Sequence, residues 1–148
     1  FNQSNDVLDF AIAREEEAHK FYTELAGKSA KNSAKQVFEE LAKQELGHKA
    51  KLQKIKDGKV LAHVDEKVQN LKIGDYLVDV EPTAEMSMQD ALILSMKRER
   101  ASFLLYSNLA DIVDDEKLRL TFLTLANEEA KHKLSFEKLY DDKVLAEN

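Results

Sequence analysis

The sequence predicts an all-α protein, a four-helix bundle running up-down-down-up with a long crossover between its second and third helices. Three observations predict it. One proline and four glycines in 148 residues, with Ala, Leu, Glu and Lys abundant, is a helix-forming composition. Apolar residues recur three and four apart through four long segments, the period of one helix face. The first and third links are short, which makes antiparallel hairpins, while the middle link is long enough to run the length of a bundle and bring the next helix back parallel.

The first helix is predicted from about Asp6 to Gly27, with Ser4, Asn5 or Asp6 as its N-cap. The second runs from about Ala34 to Asp57, opened by Ser33 with Gln36 three residues on, a capping-box pattern. Gly58 to Met86 forms the crossover, with a short helix expected over Glu66 to Leu77 and extended residues such as Val78 and Val80 before Pro82. The third helix starts near Ser87, again with an acid at Asp90, and ends near Val113. The fourth runs from about Glu116 to Tyr140, capped by Asp114 or Asp115.

The length fits one domain, residues 1–148, with enough chain to bury a core. A formal charge of −6 argues against nucleic acid, because phosphate binding wants a basic face. No apolar run approaches the ~18 residues that span a bilayer, so no membrane partner is expected. No secretory signal is visible, and a cytoplasmic location is expected. There is no cysteine, which excludes disulfides and thiolate metal sites.

An offset of 84 residues lays the second half on the first without a gap, from Asp6 on Asp90 to Asp57 on Asp141. Glu15 falls on Glu99, Tyr22 on Tyr106, Glu45 on Glu129, His48 on His132 and Lys49 on Lys133. Shared Leu and Ala would mean little, since any two amphipathic helices share them. The matched polar residues mean more, because they lie on apolar stripes. Those stripes are Leu8, Ala11, Ile12, Glu15, Ala18, Tyr22, Leu25 in the first helix and Phe38, Leu41, Glu45, His48, Leu52, Ile55 in the second. They are Leu92, Met96, Glu99, Phe103, Tyr106, Ala110 in the third and Leu118, Phe122, Leu125, Glu129, His132, Phe136, Leu139 in the fourth.

Four glutamates and two histidines thus point into an interior. A buried carboxylate costs several kcal/mol unless it is paired or coordinates a metal. No lysine or arginine sits on the stripes to neutralise them, whereas two divalent cations balance four carboxylates. Glu and His three apart lie on one helix face and can reach one ion. One Glu from each of two helices, plus Glu-x-x-His from each of the other two, is a di-metal carboxylate ligand set. Oxygen-rich ligation with two imidazoles and no sulfur favours two iron ions, with manganese or zinc as substitutes.

Over essentially its whole length the chain resembles the ferritin-like superfamily, and most closely the rubrerythrin di-iron domain. The residues that carry the resemblance are Glu followed seven positions later by Tyr, then Glu-x-x-His, all of it twice. The resemblance implies Glu15 and Glu99 as terminal ligands, Glu45 and Glu129 as bridges, and His48 and His132 as one cap on each metal. It implies that Tyr22 and Tyr106, the catalytic candidates, lie beside the site and hydrogen-bond to ligating carboxylates. It implies reduction of hydrogen peroxide, or of O2, at a buried two-iron site. Ferrous-iron oxidation with sequestration, or a non-enzymatic bundle with a vestigial site, are the alternatives.

Two departures stand out. Rubrerythrins carry a further glutamate three residues after the third-helix ligand, where this chain has Ser102. They also usually carry a four-cysteine rubredoxin module, and this chain has no cysteine. An external electron donor such as a rubredoxin-type protein is therefore expected, and the expected assembly is a homodimer.

The remaining polar residues have simpler readings. His19, one turn after Glu15, falls on Phe103 in the repeat and reads as a supporting or interface residue. His63 reads as exposed in the crossover, and Glu16, Glu17, Glu39 and Glu40 as solvated charges, with an iron-entry path as the alternative for Glu16 and Glu17. Gly47 costs ~1 kcal/mol against alanine inside a helix, and a close approach by the crossover or a second subunit is one reason for it. The matched ligands lead to the expectation that His48→Ala and His132→Ala are close to equivalent.

Overall fold

The helix periodicity is realised in five α-helices, with no strand among the described residues. A computed structural model describes residues 1–83 and 85–147, with side chains through residue 143. The helices are α1 (Ser4–Lys28), α2 (Asn32–Asp57), α3 (Asp65–Val68), α4 (Met88–Ile112) and α5 (Glu116–Glu147). Two 3-10 turns, Ala62–Val64 and Ile73–Tyr76, interrupt the crossover. The short helix expected over residues 66–77 is thus replaced by the end of α3 and the Ile73–Tyr76 turn, because only Val68 and Tyr76 there are buried and no continuous apolar stripe forms.

The chain divides into two compact units, residues 1–73 with 112–114, and residues 74–111 with 115–148. Each holds one copy of the repeat. In the first unit α1 and α2 pack along their length, burying Val7, Leu8, Ala11, Phe21 and Leu25 with Phe38, Leu41, Leu52 and Ile55. The Ala62–Val64 turn and α3 lie on α1. In the second unit α4 and α5 bury Leu92, Leu94, Leu105 and Leu109, and Phe122, Leu125 and Phe136. Asn108 donates to the hydroxyl of buried Tyr76 at 2.9 Å, which fastens the late crossover to α4.

Helix starts differ from expectation in two of four cases. Gln3, not Ser4, Asn5 or Asp6, is the N-cap of α1, and Asp6 reaches back to accept from the amides of Gln3 and Asn2 at 2.9 and 3.1 Å. The amide of Ser4 donates to Asp65 at 2.9 Å, so a crossover residue satisfies one more of the first amides beside the local Gln3–Asp6 capping box. The second helix begins at Asn32 with Lys31 at its cap, one residue before Ser33, and no side-chain capping bond forms. The other two starts hold: Ser87 accepts from the Asp90 amide at 3.1 Å, and Asp115 from the Leu118 amide at 2.9 Å. Helix α5 continues past Tyr140 to Glu147.

The predicted stripes are buried with four exceptions, of which Ile12 on α1 is half-buried. Phe103 is 39% exposed, and Met96 and Leu139 are half-buried. The buried arc of α4 also takes in Leu94, Ser95, Leu105 and Leu109. At ~100° per residue that shifts the arc's middle away from Phe103, to its edge. No helix among the described residues is long and apolar enough to cross a membrane.

Candidate metal centre

Each unit gathers one Glu-Glu-His triad. In the first, Glu15 comes from α1, and Glu45 and His48 from successive turns of α2. His48 Nδ1 lies 3.6 Å from Glu15 Oε2 and 3.6 Å from Glu45 Oε1. In the second, Glu99 comes from α4, and Glu129 and His132 from α5. His132 Nδ1 lies 3.6 Å from Glu99 Oε2 and 3.7 Å from Glu129 Oε1. All six side chains are buried, at 1 to 2% exposure. Within each triad the ligand atoms lie within 4.8 Å of one another.

These separations exceed hydrogen-bond length. They suit three atoms facing one ion: donors ~2.0–2.2 Å from a shared metal stand ~3 to 3.6 Å apart. Two carboxylate oxygens and one imidazole nitrogen, shielded from water, form a hard donor set that suits Fe(II), Mn(II) or Zn(II). The residues present therefore fit a divalent metal in each unit.

The repeat places both triads alike because each is fixed by the same two rules. Within α2 and α5 the i, i+3 spacing stacks Glu under His. Across each hairpin, packing of the apolar stripes brings the lone glutamate of the preceding helix to the histidine. Tyr22, seven residues after Glu15, and Tyr106, seven after Glu99, are buried, at 0 and 1% exposure. Ser102 is half-buried on α4.

The flanking residues differ between units. His19 donates from Nδ1 to the carbonyl of Ala42 at 2.9 Å, tying α1 to α2 one turn before Glu45. Lys49 Nζ contacts Glu16 Oε2 at 2.5 Å, tying the residue after His48 to the residue after Glu15. The Glu16 carboxyl is held below the usual carboxylate range, first by its hydrogen bond from Lys49 and in smaller part by the charges of Lys49, Lys20 and His19. Glu16 is thus not a plain solvated charge, whereas Glu17, Glu39 and Glu40 are exposed as expected. Sequence reading missed this link, since a Glu and a Lys on different helices carry no mark of being partners. His63 is exposed. Nothing lies within 4 Å of where a Cβ on Gly47 would stand, so the crossover does not approach it.

A sequence model of the rubrerythrin family matches residues 6–140. Among solved structures, the chain is similar to a protein from Thermotoga maritima described as a "putative ferritin-like diiron-carboxylate protein". That likeness has 21% sequence identity and a TM-score of 0.73, and covers 95% of this chain and 96% of the other. At that identity it establishes the fold, an all-α ferritin-like bundle. No curated protein matches.

Proposed function

The chain belongs to the rubrerythrin family, and from that premise we propose that it is a di-iron carboxylate protein that reduces hydrogen peroxide, or O2, with electrons from an external donor. The observation that carries the reading is the duplicated buried triad, with ligand atoms 3.6 to 3.7 Å apart in each copy.

In this reading Glu15, Glu45, His48, Glu99, Glu129 and His132 would hold the two irons. The chemistry that two ferrous ions supply when bound is a two-electron reduction, H2O2 with two protons and two electrons giving two waters. The protein's own groups do the rest. The carboxylates offset the metal charge. The imidazoles of His48 and His132 would present Nδ1 to the metal. Leu8 and Leu52 in the first unit, and Phe122 and Phe136 in the second, are buried on the same stripes as the ligands and keep those faces from water. The phenols of Tyr22 and Tyr106 hold ligating carboxylates and keep a hydroxyl proton close to them. Hydrogen peroxide or O2, a rubredoxin-type electron donor and a second copy of the chain are the partners this reading carries.

The test is metal analysis of anaerobically purified protein, followed by peroxide addition to the reduced form. Two irons per chain and stoichiometric peroxide consumption support the proposal. No bound metal, or ferric iron retained far beyond two per chain, overturns it, the latter in favour of iron sequestration.

A further inference from the structure

The repeat makes the two triads chemically equal, but the links that brace them are unequal. Three cross-hairpin links join α1 to α2 around the first triad. Asp9 pairs with Lys56 at 2.6 Å, Glu16 with Lys49 at 2.5 Å, and His19 donates to Ala42 at 2.9 Å. The residues in register in the second half cannot repeat any of them, although Tyr140 there accepts from Gln89 of α4 at 3.4 Å, away from the ligands. Asp9 and Lys56 become Ile93 and Tyr140, Glu16 and Lys49 become Arg100 and Lys133, and His19 becomes Phe103. Arg100 and Lys133 carry like charge and cannot pair, and Lys133 pairs with Glu137, on its own helix.

Two of these links sit against ligands. Glu16 and Lys49 are the sequence neighbours of Glu15 and His48, so their bridge fixes how far the two ligands stand apart across the hairpin. His19 is one turn after Glu15, and its acceptor is one turn before Glu45. A ligand held at its working distance before the metal arrives loses less freedom on binding.

We propose that the two metal positions are unequal, with Glu15, Glu45 and His48 forming the tight, first-filled position and Glu99, Glu129 and His132 the weaker, exchangeable one, and with Glu16, Lys49 and His19 as the positioning residues that set the difference. This rests on the two-metal reading above. Groups that orient a metal ligand are typically worth about 10- to 100-fold in metal affinity, and the stepwise dissociation constants should differ by that factor beyond statistics.

The experiment is a titration of metal-free full-length protein with Mn(II), followed by the spin-resonance signal of the free ion. The expected result is two constants separated at least tenfold. His132→Ala keeps the tight one and His48→Ala loses it. His19→Phe, which copies the residue of the second half, narrows the gap, and His19→Gln, whose side-chain amide can still donate to Ala42, largely restores it. If His19→Phe fails to fold, Arg100→Glu, which builds an acid opposite Lys133, serves instead and should tighten the weaker constant. Two bound ions with indistinguishable constants in the wild type, a tight constant lost in His132→Ala, or a gap unmoved by these variants overturns the inference and leaves the two-metal site standing. No Mn(II) binding at all overturns the site itself.

Discussion

Glu45→Leu distinguishes a carboxylate kept for a metal from one kept for the fold. Glu45 is 1% exposed on α2, with Oε1 at 3.6 Å from His48 Nδ1 and a Glu15 oxygen within 4.8 Å of its ligand atom. Two carboxylates that close, out of water, repel each other and both lose hydration. Leucine has similar volume and continues the stripe of Leu41 and Leu52. Fully burying a leucine side chain is worth about 1.5–3 kcal/mol, and the repulsion from Glu15 is relieved as well. In a chain of this length each kcal/mol moves Tm by about 2–4 °C, so a mid-range gain of about 2 kcal/mol raises the metal-free melting point by about 4–8 °C. With metal the order reverses. Wild type gains about 2.7 kcal/mol at a hundredfold excess over Kd, and the variant, without the Glu45 carboxylate, gains little. Calorimetry on chelator-stripped and Mn(II)-loaded protein at pH 7 reads both arms. A stripped variant that melts below stripped wild type, by the same margin as when loaded, would refute the reasoning, because Glu45 would then be holding the helices rather than awaiting a cation.

Gly47→Ala should raise Tm by about 2–4 °C, since the added methyl meets nothing within 4 Å and alanine gains about 1 kcal/mol in a helix interior; a lower Tm would mean that this face of α2 is covered in solution. Lys59→Gly should also stabilise, by about 0.5–1 kcal/mol in urea unfolding, because Lys59 holds a left-handed φ of 54° just past the end of α2, where a side chain costs more than glycine's extra freedom; an unchanged midpoint would show that the strain is absent. Asp65→Asn tests the brace at the start of α1. Hydrogen bonds from Ser4, its side chain first and then its amide, hold the Asp65 carboxyl below the ordinary value of 3.8. A depressed carboxyl stabilises fully above its unfolded value and loses that contribution as pH falls through its folded one. The advantage of wild type over Asp65→Asn should therefore stay constant from pH 7 to 5 and shrink below pH 4; an advantage that persists at pH 2 would contradict this.

The sequence alone determined what a single helix can determine. Rise and rotation per residue are fixed, so the period of Leu, Phe and Ala located four long helices. The same period put Glu45 with His48, and Glu129 with His132, on one buried face. The repeat named Glu15 and Glu99 as their partners, because a polar residue matched at register on two apolar stripes is not explained by packing. Tertiary structure decided everything that depends on how one helix is offset and rotated against another. It set the 3.6 Å between Glu15 and His48, the Glu16–Lys49 and His19–Ala42 links, and the use of Asp65, sixty-one residues away, at the start of α1. It turned Phe103 outward, since the arc a helix buries follows its neighbours and not its own period alone. It also placed the left-handed residue at Lys59 rather than at Gly58. The offset between packed helices is a sum of many small contacts, and no local pattern in the chain encodes that sum.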